Sequence, residues 1–242
     1  MANITRKGMI TIQPRMKKPL TILFLLPLIS IVSCSVDNKP QKFAAGRIDY
    51  KITYLNQDLD EKTIELLPRR MRLSFDENQA VNNIEGFLGV YRLNSITNFD
   101  SRKCSTLLKI FEKQYVFMGR REELICCFDA MEGMNIEETR ETKIIAGLNC
   151  KKARISLPSN GHTFDIFYTG DIKLHNPNST NPYRKIDGVL LEFELTMLHL
   201  KMRFTAENFE PGIEIPSHEN LPDNVKTVSR EQMTQILNRL MN

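Results

Sequence analysis

The chain lacks the common signatures of catalysis. Its four histidines, His162, His175, His199 and His218, are scattered, and none shares a metal-ligand spacing with another. No His-Glu-x-x-His, no Gly-x-Ser-x-Gly and no phosphate-binding glycine loop occurs. Those absences remove the usual sequence grounds for a zinc hydrolase, a serine hydrolase or a nucleotide-binding enzyme. No Cys-x-x-Cys is present, so no thiol redox motif is written in the chain. There is no internal repeat and no long low-complexity linker. The apolar run Leu20–Val32, broken by Pro27 and Ser30, falls short of the about 20 apolar residues that span a bilayer. The expectation is a protein that is not an enzyme and carries neither metal nor cofactor.

What the chain does have is an address. Lys17 and Lys18 precede the apolar run, small and polar residues follow it, and together they form the pattern of a secretory signal. Ile31-Val32-Ser33-Cys34 resembles the bacterial lipobox, in which the cysteine thiol takes a diacylglyceryl group and becomes the mature N-terminus. A buried core helix is the alternative reading, but lysines in front and Ser-Cys-Ser behind do not suit a core. Met16-Lys17-Lys18 makes a more ordinary start for such a signal than Met1. The expected division is a signal over 1–33, a lipidated Cys34 with a polar tether over 34–45, and one β domain over 46–242. Ser35 rather than aspartate follows Cys34, and no acidic run follows it. This points to an outer-membrane lipoprotein facing the periplasm.

Cleavage would also change the charge. The segment before Cys34 holds Arg6, Lys7, Arg15, Lys17 and Lys18 and no acidic residue. Removing those five from the 33 basic residues leaves 28 against 29 acidic ones, so the basic character belongs to the signal. The remainder carries no broad electrostatic footprint for nucleic acid.

Beyond the tether, the dominant signal is period-two alternation, the mark of strands with one buried and one wetted face. Ile48, Tyr50, Ile52 and Tyr54 alternate with polar residues, as do Met71, Leu73 and Phe75. A hairpin is expected over 152–168 around Pro158-Ser-Asn-Gly161. A second, over 188–205, sets Val189, Leu191, Phe193 and Leu195 against Leu198, Leu200, Met202 and Phe204. Further strands are predicted over 87–93, 105–111, 114–118 and 123–128. Residues 207–228, with three prolines, read as extended. Ser229-Arg-Glu-Gln232 then resembles a capping box, followed by Met233, Ile236, Leu237, Leu240 and Met241 at helical spacing. The ordinary use of that stripe is packing on the sheet; binding a partner is the other. The architecture expected is mainly β (α+β): a curved antiparallel sheet or half-barrel with a C-terminal helix and few short helices. Its apolar face needs a cover or a ligand.

Some polar groups have alternative readings. Asp58-Leu-Asp60-Glu61 is better read as a solvated acidic turn than as a cation loop, since it lacks the ligand spacing. Glu192 and Glu194 alternate along a strand and are expected to face water. Cys104, Cys126, Cys127 and Cys150 make disulfides available in an oxidising envelope. Neighbouring Cys126 and Cys127 pair awkwardly, which leaves two full connectivities. One bridge with two buried thiols is the alternative.

Two stretches carry a resemblance. Ala45-Gly46-Arg-Ile48-Asp-Tyr50-Lys-Ile52-Thr-Tyr54 looks like the opening strand of secreted bacteroidete-type families, including the GLPGLI group. Ile144-Ile-Ala-Gly147-Leu-Asn-Cys150-Lys-Lys-Ala153 resembles their central motif. Phe167-Tyr168-Thr169 and Ile186-Asp-Gly188-Val-Leu-Leu-Glu192 look like later blocks. Leu148 stands where an aromatic residue is common, and the Gly-Leu-Pro-Gly-Leu-Ile signature is absent. The resemblance implies a LolA/LolB-like fold, a curved sheet with helices plugging an apolar surface, and transfers no catalytic residue.

The reading reached is a non-catalytic lipoprotein, anchored to membrane lipid through Cys34, that binds a lipid or acyl chain on the sheet's apolar face. Ile48, Tyr50 and Ile52, with Val189, Leu191 and Phe193, would supply parts of the wall. For each of them alone, packing a closed core is the stronger reading. The alternative function is an envelope interaction or sensing module with a filled core and an envelope protein as partner.

Overall fold

The computed structural model describes residues 42–120, 127–213, 215 and 224–241. The chain divides into two units, Met1–Asn38 and Lys39–Asn242, and the described residues belong to the second. The signal, Cys34, most of the tether, Cys126 and residues 123–126 of a predicted strand lie outside them.

Twelve strands form one open, curved sheet. In chain order they are β1 (Gly46–Tyr54), β2 (Arg70–Phe75), β3 (Gln79–Glu85), β4 (Tyr91–Asn98), β5 (Lys103–Ile110) and β6 (Lys113–Arg120). Then follow β7 (Asn135–Ile145), β8 (Leu148–Ser156), β9 (Thr163–Thr169), β10 (Val189–Met197), β11 (Leu200–Pro211) and β12 (Val225–Thr227). Among the described residues there are two α-helices, α1 (Glu61–Leu66) and α2 (Arg230–Met241). The spatial order is β12-β6-β5-β4-β3-β2-β1-β11-β10-β9-β8-β7. Two meanders therefore flank β1, one built from β2–β6 and the other from β7–β11.

Pairing is antiparallel with one correction to the expectation. β12 lies parallel to β6, with Lys226 opposite Tyr115, so the sheet is mixed. A short return segment reaching the edge after a long connection has no hairpin to impose antiparallel direction.

Period-two alternation marks the strands that bury one face. β1 shows it, with Ile48, Tyr50 and Ile52 buried. The predicted hairpins form as β8–β9 and β10–β11, with Phe193 opposite Phe204 and Leu195 opposite Met202. Two strands escaped the sequence pattern. β7 is an edge strand with most side chains in water, and it is held by backbone pairing to β8. Its many charges deter further strand addition. β3 buries both Ala80 and Val81, which erases the alternation. The predicted strand over 87–93 begins only at Tyr91, because Phe87–Gly89 form a 3-10 turn with Leu88 at φ 51°. Cys127 and Phe128 lie outside any strand.

The Ala146-Gly147 turn joining β7 to β8 has positive φ at both residues (49° and 81°), the geometry that matches strand twist in a two-residue hairpin. The capping box at α2 forms as expected. The Gln232 N–H donates to Ser229 Oγ at 3.2 Å, and Gln232 Oε1 accepts from the Ser229 N–H at 2.9 Å.

Candidate functional site

The six wall residues named from the sequence are all buried. The structure sets them in one apolar cluster with Phe75, Ile155, Ile166 and Phe204. An aromatic stack organises its centre. Phe193 lies parallel to Phe204 at 4.9 Å, while Tyr50 and Tyr183 meet Phe193 edge-on at 6.1 and 6.0 Å.

This part of the face is covered by an irregular segment, residues 171–188, that no sequence pattern singled out as a lid. Polar pins hold it. The Asn178 amide donates to the Ile186 and Gly188 carbonyls at 3.0 and 2.8 Å, in a fully buried setting. The Tyr183 hydroxyl donates to the Glu194 carbonyl, and the Tyr50 hydroxyl donates to the Leu190 carbonyl at 2.8 Å. Burial pushes both tyrosine hydroxyls well above their ordinary range, so both stay protonated donors. Where the segment re-enters β10, a Cβ on Gly188 would stand 2.7 Å from the Thr169 carbonyl oxygen, so only glycine fits.

A second, smaller cluster lies under α2. Met233 and Leu237 of the helix pack with Leu108, Phe117, Cys127 and Val228, and Leu93, Met197, Ile236 and Leu240 join them. The helix is tied at its base by the Val228 N–H, which donates to the Val116 carbonyl at 2.9 Å. The C-terminal helix, one candidate for the cover, packs on this smaller cluster.

Among the described residues, the voids on the covered face are small. A void of about 50 Å³ lies between Tyr50, Leu73, Asn178 and Phe193. A second void of about 50 Å³ forms an apolar seam where the clusters meet, walled by Ile52, Tyr54, Leu93, Met197, Leu237 and Leu240. Each is far below the roughly 300–1,000 Å³ of a small-molecule site. Two larger hollows, of about 690 and 510 Å³, are open to solvent. One sits beside α1 among Arg69, Arg70, Arg72 and Glu65, the other between Met131, Met134, Arg184 and Arg230.

The opposite face carries ion pairs. Lys152 bridges Glu141 and Asp165 at 3.0 and 2.9 Å, and its hydrogen bond holds the Asp165 carboxyl below the usual range. Glu192 bonds Lys143 at 2.9 Å. Glu194 corrects the expectation of a water-facing carboxylate: it is 7% exposed, held by Arg203 at 2.6 Å and His162 at 2.9 Å. Those cross-strand neighbours roof it over. His199 sits exposed in the β10–β11 turn rather than on a strand.

Asp60 is a helix cap. Its carboxylate accepts from the Thr63 N–H at 3.0 Å and the Thr63 hydroxyl at 2.8 Å, bonds that pull its pKa down. Among the described residues no group of histidine, cysteine and carboxylate side chains is arranged to hold a metal ion. The Cys150 thiol donates to the Leu148 carbonyl at 3.4 Å, and burial pushes it up to about 11. Cys104 is buried on β5 and Cys127 in the smaller cluster.

The class that fold and site define is a mainly β domain: an open curved sheet whose apolar face is closed by a pinned segment and a C-terminal helix. No family model matches the chain, so the resemblance to the GLPGLI group gains no support from that side. No curated protein matches it either. Among solved structures, the crystal structure of LprF from Mycobacterium bovis is similar at 12% identity and a TM-score of 0.28, covering 72% of this chain and 89% of that one.

Proposed function

We propose that the chain is a non-catalytic, membrane-tethered binding module that takes an acyl chain into the seam beneath α2. The observation that carries the reading is the seam itself. Its wall is apolar almost throughout, it lies at the joint between two clusters, and one side of it is a terminal helix tied at its base. An acyl chain does not fit in 50 Å³, so uptake requires α2 to lift and the ligand to replace Leu237 and Leu240 against the sheet. Such an exchange swaps one apolar contact for another and is nearly neutral in burial, which is what a reversible carrier needs. Anchoring belongs to the same proposal: diacylglyceryl on Cys34 would hold the module at the outer membrane on its periplasmic side, since several acyl chains anchor where one binds only marginally.

Native mass spectrometry of the purified chain, before and after lipid extraction, tests the uptake. A lipid adduct that extraction removes supports it; an adduct-free protein that also excludes an added palmitoyl lipid refutes it. Metabolic palmitate labelling tests the anchor, and a Cys34→Ala protein that still takes label refutes that assignment.

The small size of the void in the larger cluster favours a second reading, an envelope interaction module with no ligand. The same measurement separates the two.

A further inference from the structure

Large apolar side chains stand in water at one end of the sheet. β1 ends there at Tyr54, β3 at Glu85 and β5 at Ile110, while β2, β4 and β6 begin there. The connections at that end expose Leu66 (59%), Leu88 (85%), Val90 (36%) and Phe111 (68%). The tips are joined to each other: the Phe111 N–H donates to the Val90 carbonyl at 2.9 Å. Leu88 and Phe111 both sit at φ 51°, in the left-handed region that favours glycine or asparagine. A branched aliphatic and an aromatic side chain at such positions, pointing away from any core, oppose both local backbone preference and solvation. Ordinary turn chemistry does not account for them.

Behind the tips stand cations. Arg69, Arg70, Lys109 and Lys113 are exposed and make no ion pair among the described residues. Arg92 pairs with Glu85 across the same turn at 3.1 Å. Lys109 and Lys113 stand two residues from Phe111 and Arg69 and Arg70 three and four from Leu66, while the exposed Glu65 and Glu112 also border the tips, so these cations outnumber those acids four to two. A phospholipid surface offers a partner to both kinds of side chain, with acyl chains behind anionic headgroups. Because lipid is fluid, separate protruding side chains can each be accommodated, with no need for the continuous complementary surface a protein partner requires.

We propose that this end of the sheet docks on an anionic phospholipid bilayer, with Leu88, Val90 and Phe111 entering the acyl boundary and Arg69, Arg70, Lys109 and Lys113 at the headgroups. The apolar seam, with Tyr54, Tyr91 and Met197 in its wall, lies at this end. The described chain enters β1 from the other. Docking stands without uptake beneath α2, but it would place the seam at the lipid.

The chain contains no tryptophan, so one introduced indole reports alone. Phe111→Trp and Ile144→Trp place it at opposite ends, Ile144 being 71% exposed beside the β7–β8 turn. Each full-length variant is mixed with vesicles of phosphatidylethanolamine and phosphatidylglycerol carrying brominated acyl chains. The expected result is a blue shift and loss of emission for Phe111→Trp, with Ile144→Trp remaining water-like. An unchanged Phe111→Trp spectrum, or an equal response from both positions, overturns the proposal. Should Phe111→Trp fail to fold by circular dichroism, Leu88→Trp carries the same two outcomes. The readout is independent of lipid adducts in the mass spectrum, so docking and uptake can fail separately.

Discussion

The two covers of the apolar face are built differently. Residues 171–188 are irregular, yet they are pinned by buried hydrogen bonds from Asn178 and Tyr183 to backbone carbonyls. Helix α2 is regular and presents Met233 and Leu237 to a small cluster. A buried hydrogen bond that breaks leaves an unsatisfied donor or acceptor, costing about 1–3 kcal/mol. An apolar contact that slides onto lipid loses little. On these grounds the irregular segment is expected to be the firmer cover and the helix the one that opens first.

The largest effect is expected beneath the firmer cover. Phe193→Ala removes the ring between Phe204, Tyr50 and Tyr183 and should cost about 3–5 kcal/mol in urea unfolding. Asn178→Ala strands two buried carbonyls and should cost about 2–4 kcal/mol, with faster hydrogen exchange across 171–188. If Asn178→Ala proves neutral, the segment is not pinned as argued. Leu237→Ala should act more locally. Its exchange protection should fall in α2 while β8–β11 keep theirs, because the smaller cluster can open alone. Equal loss in both regions would join the covers into one cooperative unit and remove the contrast.

The smallest expected effect is chemical. The Cys150 thiol, ordinarily near 9.0, is pushed to about 11 by burial. A folded value above the unfolded one means a stabilising contribution fully present below pH about 9, lost as pH rises through about 11. Cys150 should resist alkylation at pH 8 in the native protein and react after unfolding. Rapid native alkylation of Cys150 would falsify its placement in the larger cluster.

Much of the fold is legible in the chain because strands that bury one face must alternate. Ile48-Tyr50-Ile52 and the β10–β11 hairpin show it, and the capping box with its apolar stripe marks α2. Charged β7 and doubly buried β3 are hidden, since edge exposure and two-sided burial both erase that period. The candidate site is only half legible. Its wall residues were visible as apolar positions, but Asn178 and Tyr183 lie in a stretch with no periodicity. The exposed tips at Leu88 and Phe111 read as strand or turn until the backbone angles are known.

By itself the sequence determines composition and local pattern: a short apolar run led by Lys17-Lys18 and ending at Ser33-Cys34, one-sided strands, an amphipathic helix over the last residues and none of the common catalytic motifs. Those follow from neighbours along the chain, and neighbours are what a sequence displays. Only the tertiary structure decides that the voids on the covered face are small among the described residues, that Glu194 is roofed over, and that apolar tips from separate turns share one end of the sheet. Each depends on residues far apart in sequence that the sheet order brings together, and packing and burial are properties of that arrangement.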